Sequence, residues 1–156
     1  MRIQWKKLAI SMLISFLPGI VGSLFMIGSI DGWYATLNKP WFTPPNWVFG
    51  PVWTMLYILM GISLYLVWIK IHRDDVFVVS SLFGTQLAFN AIWTPIFFSV
   101  HAVLPSFIII AGLWLLVFAT IITFYKTSKN ASYLLIPYIV WLTIATALNV
   151  GVLLLN

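Results

Sequence analysis

The sequence predicts an all-α membrane protein, a bundle of five transmembrane helices forming one domain over residues 1–156. Two observations carry that prediction. Charged residues make up 7% of the chain and apolar residues 62%, whereas a soluble domain carries roughly 25% charge. The eight basic and three acidic residues also all fall outside five apolar runs at 8–30, 47–69, 76–99, 106–125 and 134–155. Each run suits the roughly 20 residues with which a helix crosses about 30 Å of hydrocarbon.

The first run follows Lys6-Lys7. It is longer than the roughly 7 to 15 residues of a signal-peptide core and no Ala-x-Ala follows it, so it is expected to be a retained first helix. The next segment, 31–46, is too aromatic for a plain solvated connector: it holds Trp33, Tyr34, Trp41 and Phe42 with Pro40, Pro44 and Pro45. Prolines stiffen it, and Trp33 and Leu37, four apart, share one face of a helical turn. Long unstructured loops are usually functional or disordered, and the scarcity of charge argues against disorder. The segment therefore reads as a lid over the outer end of the bundle, built on Trp33, Leu37, Lys39, Pro40 and Pro45, with an interfacial aromatic belt as the other reading.

In the second run, Phe49, Trp53, Tyr57, Met60 and Leu64 fall within an arc of about 80° at 100° per residue. Asp74 and Asp75 stand directly before the third run, where the helix dipole favours negative charge. That run has two opposed faces. With Gly84 at zero, Ser80 and Ala88 lie within about 40° of it, whereas Gln86, Asn90 and Trp93 lie near 180° to 240°. Small residues at i, i+4 and i+8 form the small-xxx-small pattern of helix association, so Ser80, Gly84 and Ala88 are expected to form a homodimer interface. An amide in hydrocarbon is costly unless it is paired or lines a cavity, so Gln86 and Asn90 must face the interior. The fourth run shows the stripe Phe107, Trp114 and Phe118. In the fifth, Tyr138, Trp141, Ala145 and Asn149 span about 80°. Convergence of these faces predicts a pocket for a large, flat, mostly apolar ligand: aromatic faces stack, and amides fix orientation. An aromatic stripe serving as ordinary bundle core is the alternative.

Seven basic residues (Arg2, Lys6, Lys7, Lys70, Arg73, Lys126 and Lys129) lie on one side of the predicted bundle and only Lys39 on the other. Lys and Arg are held on the cytoplasmic side, which puts the N-terminus in the cytoplasm and the C-terminus outside in a multi-pass cell-membrane protein. Their placement beside spans, not along a groove, argues against a nucleic-acid partner. No cysteine is present, which excludes thiol chemistry and thiolate metal sites. No ionisable side chain other than tyrosine lies inside a run, which disfavours proton-coupled transport and an intramembrane acid-base pair. His72 and His101 sit in loops on opposite sides, so no metal site and no ligated haem is expected, and no cofactor.

The segment 39–63, KPWFTPPNWVFGPVWTMLYILMGIS, closely resembles the first-loop and second-helix signature of the TspO/MBR family, the tryptophan-rich sensory proteins and translocator proteins or peripheral-type benzodiazepine receptors. QLAFNAIWTPIFF at 86–98 is similar to that family's Gln-Leu-x-Leu-Asn-x-x-Trp pattern, with Phe89 in place of the usual Leu. PYIVWLTIATALN at 137–149 looks like its Pro-Tyr-x-x-Trp and Ala-x-x-Leu-Asn elements. The resemblance implies a five-helix bundle, commonly homodimeric, that binds porphyrins such as protoporphyrin IX. In animals it also implies cholesterol and benzodiazepine-type ligands. Carried over by residue, its pocket comprises Trp53, Tyr57, Asn90, Trp93, Trp141 and Ala145, with Tyr34 and Pro44 in the lid. To these the reading of the faces adds Gln86 and Tyr138. Bacterial relatives imply a light-dependent porphyrin degradation involving Trp53 and Trp141, which would be its only catalytic residues. Receptor or sensor, degradative enzyme and facilitator of tetrapyrrole or lipid transport all need the same pocket; the receptor is the leading expectation.

Because the chain lacks cysteine, single cysteines can be labelled without background. An impermeant thiol reagent on intact cells should reach Asn38→Cys and reach Ser128→Cys only after permeabilisation; the reverse pattern would overturn the orientation.

Overall fold

The computed structural model describes residues 3–26 and 28–156. Arg2, counted above with the basic side, and Ile27, inside the first predicted span, lie outside the described residues. Helices form almost all of the described structure: α1 (Trp5–Met26), α2 (Trp33–Thr36), α3 (Asn46–Trp68), α4 (Val76–Phe98), α5 (Val103–Thr127), α6 (Lys129–Tyr133) and α7 (Ile136–Leu155). Five of them, α1, α3, α4, α5 and α7, are long and apolar enough to cross a membrane. The predicted spans match these within a few residues. At its start α1 reaches three residues earlier than predicted, because Trp5, Lys6 and Lys7 continue the helix. The connection before α7 is itself the short helix α6, whose Ser132 hydroxyl donates to the Ile121 carbonyl of α5 at 3.0 Å.

Around the bundle, α1 packs on both α3 and α4, α4 on α5, and α5 on α7. An up-and-down bundle with short connections would set α3 beside α4; here α1 inserts between them instead. Small residues permit it. A Cβ on Gly61 of α3 would meet the Met12 side chain and lie 3.0 Å from the Met12 Cα of α1, and one on Gly22 of α1 would lie 3.1 Å from Thr94 Oγ1 of α4. Between α3 and α7 the spacing is set differently, by aromatic pairs: Phe49 against Trp141 at 5.7 Å and Trp53 against Tyr138 at 6.2 Å between ring centroids.

Among the described residues, the basic side chains other than Lys39 gather at one end. Lys70 Nζ of the α3–α4 connection lies 3.5 Å from Ser128 Oγ of the α5–α6 connection, Lys7 Nζ stands 5.8 Å over the Trp68 ring, and the Gln4 backbone N–H donates to the Tyr65 hydroxyl at 3.1 Å. Ser128 is buried here, so the exposed Asn130 is the better basic-side position for a thiol label. On α4, Ser80, Gly84 and Ala88 all lie exposed, opposite the buried Gln86 and Asn90. The two-faced reading of that helix thus holds in the monomer. The aromatic stripe of α5 lies at the edge of the bundle: Phe107 and Trp114 are half-buried, with Trp114 against the core, and Phe118 is exposed. Trp114 and Phe118 stack on each other at 5.5 Å, and the Trp114 indole N–H donates to Thr143 Oγ1 of α7 at 2.9 Å.

Two glycines of similar sequence context therefore predict opposite outcomes. Gly61→Leu drives a side chain into α1 and should destabilise the protein by about 1–3 kcal/mol or more. At Gly84 a Cβ would meet nothing within 4 Å, so Gly84→Leu should stay within about 0.5 kcal/mol of the parent. Thermal unfolding in detergent followed by near-ultraviolet circular dichroism distinguishes them.

Candidate functional site

A polar chain crosses the middle of the bundle. The Tyr57 hydroxyl of α3 donates to Asn90 Oδ1 of α4 at 3.1 Å, Asn90 Nδ2 donates to the Tyr138 oxygen of α7 at 2.7 Å, and the Tyr138 hydroxyl donates to Gln86 Oε1 at 3.2 Å. All four residues are buried. They can occupy hydrocarbon because each pays its desolvation with a partner, and the chain ties three helices into one register.

Beside this chain lies a cavity of about 350 Å³ between α1, α3 and α4, at the lower end of the roughly 300–1,000 Å³ of small-molecule pockets. Its walls are aromatic: Phe16, Phe49, Trp53, Tyr57, Trp93 and Phe98, with Tyr34 above and the Asn90 amide at the edge. The Trp53 and Tyr57 rings stack at 5.6 Å and Trp93 stacks on Phe97 at 5.7 Å. Trp93 is a wall residue through its ring; its indole N–H is buried away from the cavity and has no hydrogen-bond partner. Ile20 and Ser23 of α1 and Gly50 and Thr54 of α3 line the cavity yet are exposed. The space therefore opens sideways between those two helices, toward lipid.

The end of the bundle away from the α3–α4 connection is closed by the segment between α1 and α3. Trp33 stacks on His101 at 4.2 Å, where His101 adopts a left-handed turn with φ 58°, and packs edge-on to Phe97 at 5.4 Å. Tyr34 is buried against Phe97 and Phe98, and that burial pushes its phenol above the ordinary value. Lys39 Nζ donates to the Tyr34 carbonyl at 2.8 Å and stands 4.5 Å over its ring. Further along, the Asn38 N–H donates to Asn156 Oδ1 and Asn156 Nδ2 donates back to the Asn38 carbonyl, both at 3.0 Å. Pro40 occupies the space a Cβ on Gly151 would need. Leu37 packs with Trp33 in the same apolar cluster, although it ends the α2 turn in an extended conformation. Trp41, 95% exposed, points away from the cover, so the segment is a lid in its first half and an aromatic fringe in its second.

Of the residues singled out from sequence, Tyr34, Trp53, Tyr57, Asn90 and Trp93 stand on the cavity wall, whereas Pro44, Gln86, Tyr138, Trp141 and Ala145 do not. Gln86 and Tyr138 sit one layer behind, holding Asn90. Trp141 is likewise a layer back, against Phe49, its indole N–H buried and unpaired. Pro44 is half-buried and Pro45 precedes the first turn of α3. Sequence reasoning missed the wall supplied by α1, where Pro18, Gly19 and Gly22 line the cavity; its only trace is a Pro-Gly-x-x-Gly run of thin residues on one side of the helix. Among the described residues no group of His, Asp and Glu side chains can hold a metal ion.

Comparison with known proteins agrees with this architecture. The chain is 44% identical over 150 residues to the tryptophan-rich protein TspO of Archaeoglobus fulgidus, covering 96% of this chain and 97% of that protein. It is 39% identical over 139 residues to protein CrtK of Rhodobacter capsulatus, covering 88% and 85%, and 40% identical over 134 residues to the human translocator protein, covering 83% and 78%. A model of the TspO/MBR family matches residues 11–155, and with an all-helical bundle of five membrane-spanning helices behind that match, the chain belongs to the TspO/MBR family.

Proposed function

We propose that this protein is a membrane receptor for flat, largely apolar ligands of the porphyrin class, bound in the cavity between α1, α3 and α4 beneath the lid. The observation that carries this reading is the composition of the wall: stacked indole and phenol rings and one fixed amide. Rings offer dispersion and stacking to a planar π-system. Asn90 is held by Tyr57 and Tyr138, so it meets a ligand without first losing rotamer freedom, which lowers the ordering cost of binding. With no metal-ligating set among the described residues, recognition works by stacking and polar edges, and the ligand reaches the cavity from the bilayer through the opening between α1 and α3.

Protoporphyrin IX in detergent should quench the intrinsic tryptophan fluorescence saturably, near one per chain. Trp53→Ala and Asn90→Ala should each weaken it by about 1–3 kcal/mol, roughly five- to 150-fold. Trp93→Phe trims the stacking ring and should cost about 0.5–1.5 kcal/mol. Trp114→Ala, on α5 and outside the cavity lining, should leave the affinity unchanged. Equal affinity across wild type, Trp53→Ala, Asn90→Ala and Trp93→Phe would place the porphyrin outside this cavity and overturn the reading.

A further inference from the structure

A second concavity lies at the basic end of the bundle and shares no lining residue with the first. It has a volume of about 600 Å³ and runs between α1, the last turns of α3 and the start of α4. We infer that it binds one anionic phospholipid from the leaflet on that side, with the phosphate between Lys7 and Arg73 and an acyl chain along the groove.

Three features point to an amphiphile with a negative head. The lining separates by chemistry: among the described residues Lys7 and Arg73 are its charged members, and Leu64, Val67 and Phe83 are among its apolar ones. Asp74 and Asp75 belong to the same turn as Arg73 yet neither lines the groove. The Lys7 ammonium is positioned, standing 5.8 Å over the ring of Trp68, itself 37% exposed; a Trp and two cations at one helix end mark headgroup depth. The groove also has room at its apolar end, because a Cβ on Gly84 would touch nothing within 4 Å.

Charge complementarity selects the occupant. Two cations at the mouth of an apolar slot match a phosphate joined to a hydrocarbon chain, and polybasic clusters beside transmembrane helices attract anionic lipid. Free phosphate would leave the apolar walls unfilled. A second copy docked here through a two-fold axis would bring its own pair of cations to the same interface.

The test uses the full-length protein reconstituted in phosphatidylcholine vesicles with spin-labelled phosphatidylglycerol or phosphatidylcholine of identical chains. Electron spin resonance should show a motionally restricted component that prefers phosphatidylglycerol by at least about five-fold. Lys7→Gln with Arg73→Gln should bring the preference to near one, and Lys7→Arg with Arg73→Lys should retain it. Gly84→Phe fills the groove without touching the cations and should also abolish the preference, separating a built site from diffuse surface attraction. No headgroup preference in the wild type, or a preference that survives both the neutral pair and Gly84→Phe, would overturn the inference. So would a Gly84→Phe protein that loses chemical cross-linking between chains while keeping its lipid preference, since the face would then belong to a second copy. Protoporphyrin quenching is read separately, and its failure has no bearing on this result.

Discussion

Polar groups in hydrocarbon must find one another, and the interior of this bundle is arranged around that requirement. Tyr57, Asn90, Tyr138 and Gln86 form a single donor–acceptor chain through α3, α4 and α7. Without it the aromatic walls would have no fixed register. Hydrophobicity supplies little of that register inside a membrane, because lipid tails are as apolar as leucine; specificity comes from packing and from hydrogen bonds. A second bond does the same work nearer the covered end, where Asn149 Nδ2 donates to Ser106 Oγ at 2.9 Å and pins α7 to α5.

The cavity exists because two kinds of helix contact coexist. α1 comes close to α3 and α4 through Gly61 and Gly22, whereas α3 and α7 are kept apart by ring pairs. Close contacts on one side and aromatic spacers on the other leave an unfilled volume beside Trp53 and Trp93. The lid then decides its exit. Reciprocal amide bonds to Asn156 and the seating of Pro40 on Gly151 hold the cover down, so the sideways opening between α1 and α3 is the one that requires no broken contact.

Much of this was legible in the residues, for physical reasons that also mark where legibility stops. Spans were readable because charge is excluded from hydrocarbon, and the inward face of α4 because Gln86 and Asn90 cannot face lipid. Radial depth was not readable. Angle on a helical projection separates inside from outside but cannot tell a wall residue from one a layer behind, which is why Gln86, Tyr138 and Trp141 were grouped with Trp53 and Asn90. Nor does an aromatic stripe report its direction in a membrane, where core and surroundings have the same polarity; along one stripe of α5, Trp114 is half-buried against the core while Phe118 is exposed. The part played by α1 left only its Pro-Gly-x-x-Gly run as a trace, because Pro18, Gly19 and Gly22 contribute close approach and no polar or aromatic group to the wall.

The seating of Pro40 on Gly151 also bears on how such a chain can change over generations. Three contacts on α7 are locked to one helical phase: Asn149 to Ser106, Gly151 to Pro40 and Asn156 to Asn38. One residue inserted between Tyr138 and Asn149 turns everything beyond it by about 100° and advances it by about 1.5 Å. All three contacts would then miss together, and Val150 would be presented where Pro40 leaves no room for a side chain. The last span can therefore accept a substitution on its lipid-facing side with its three anchors intact, whereas a change in its length releases all three together.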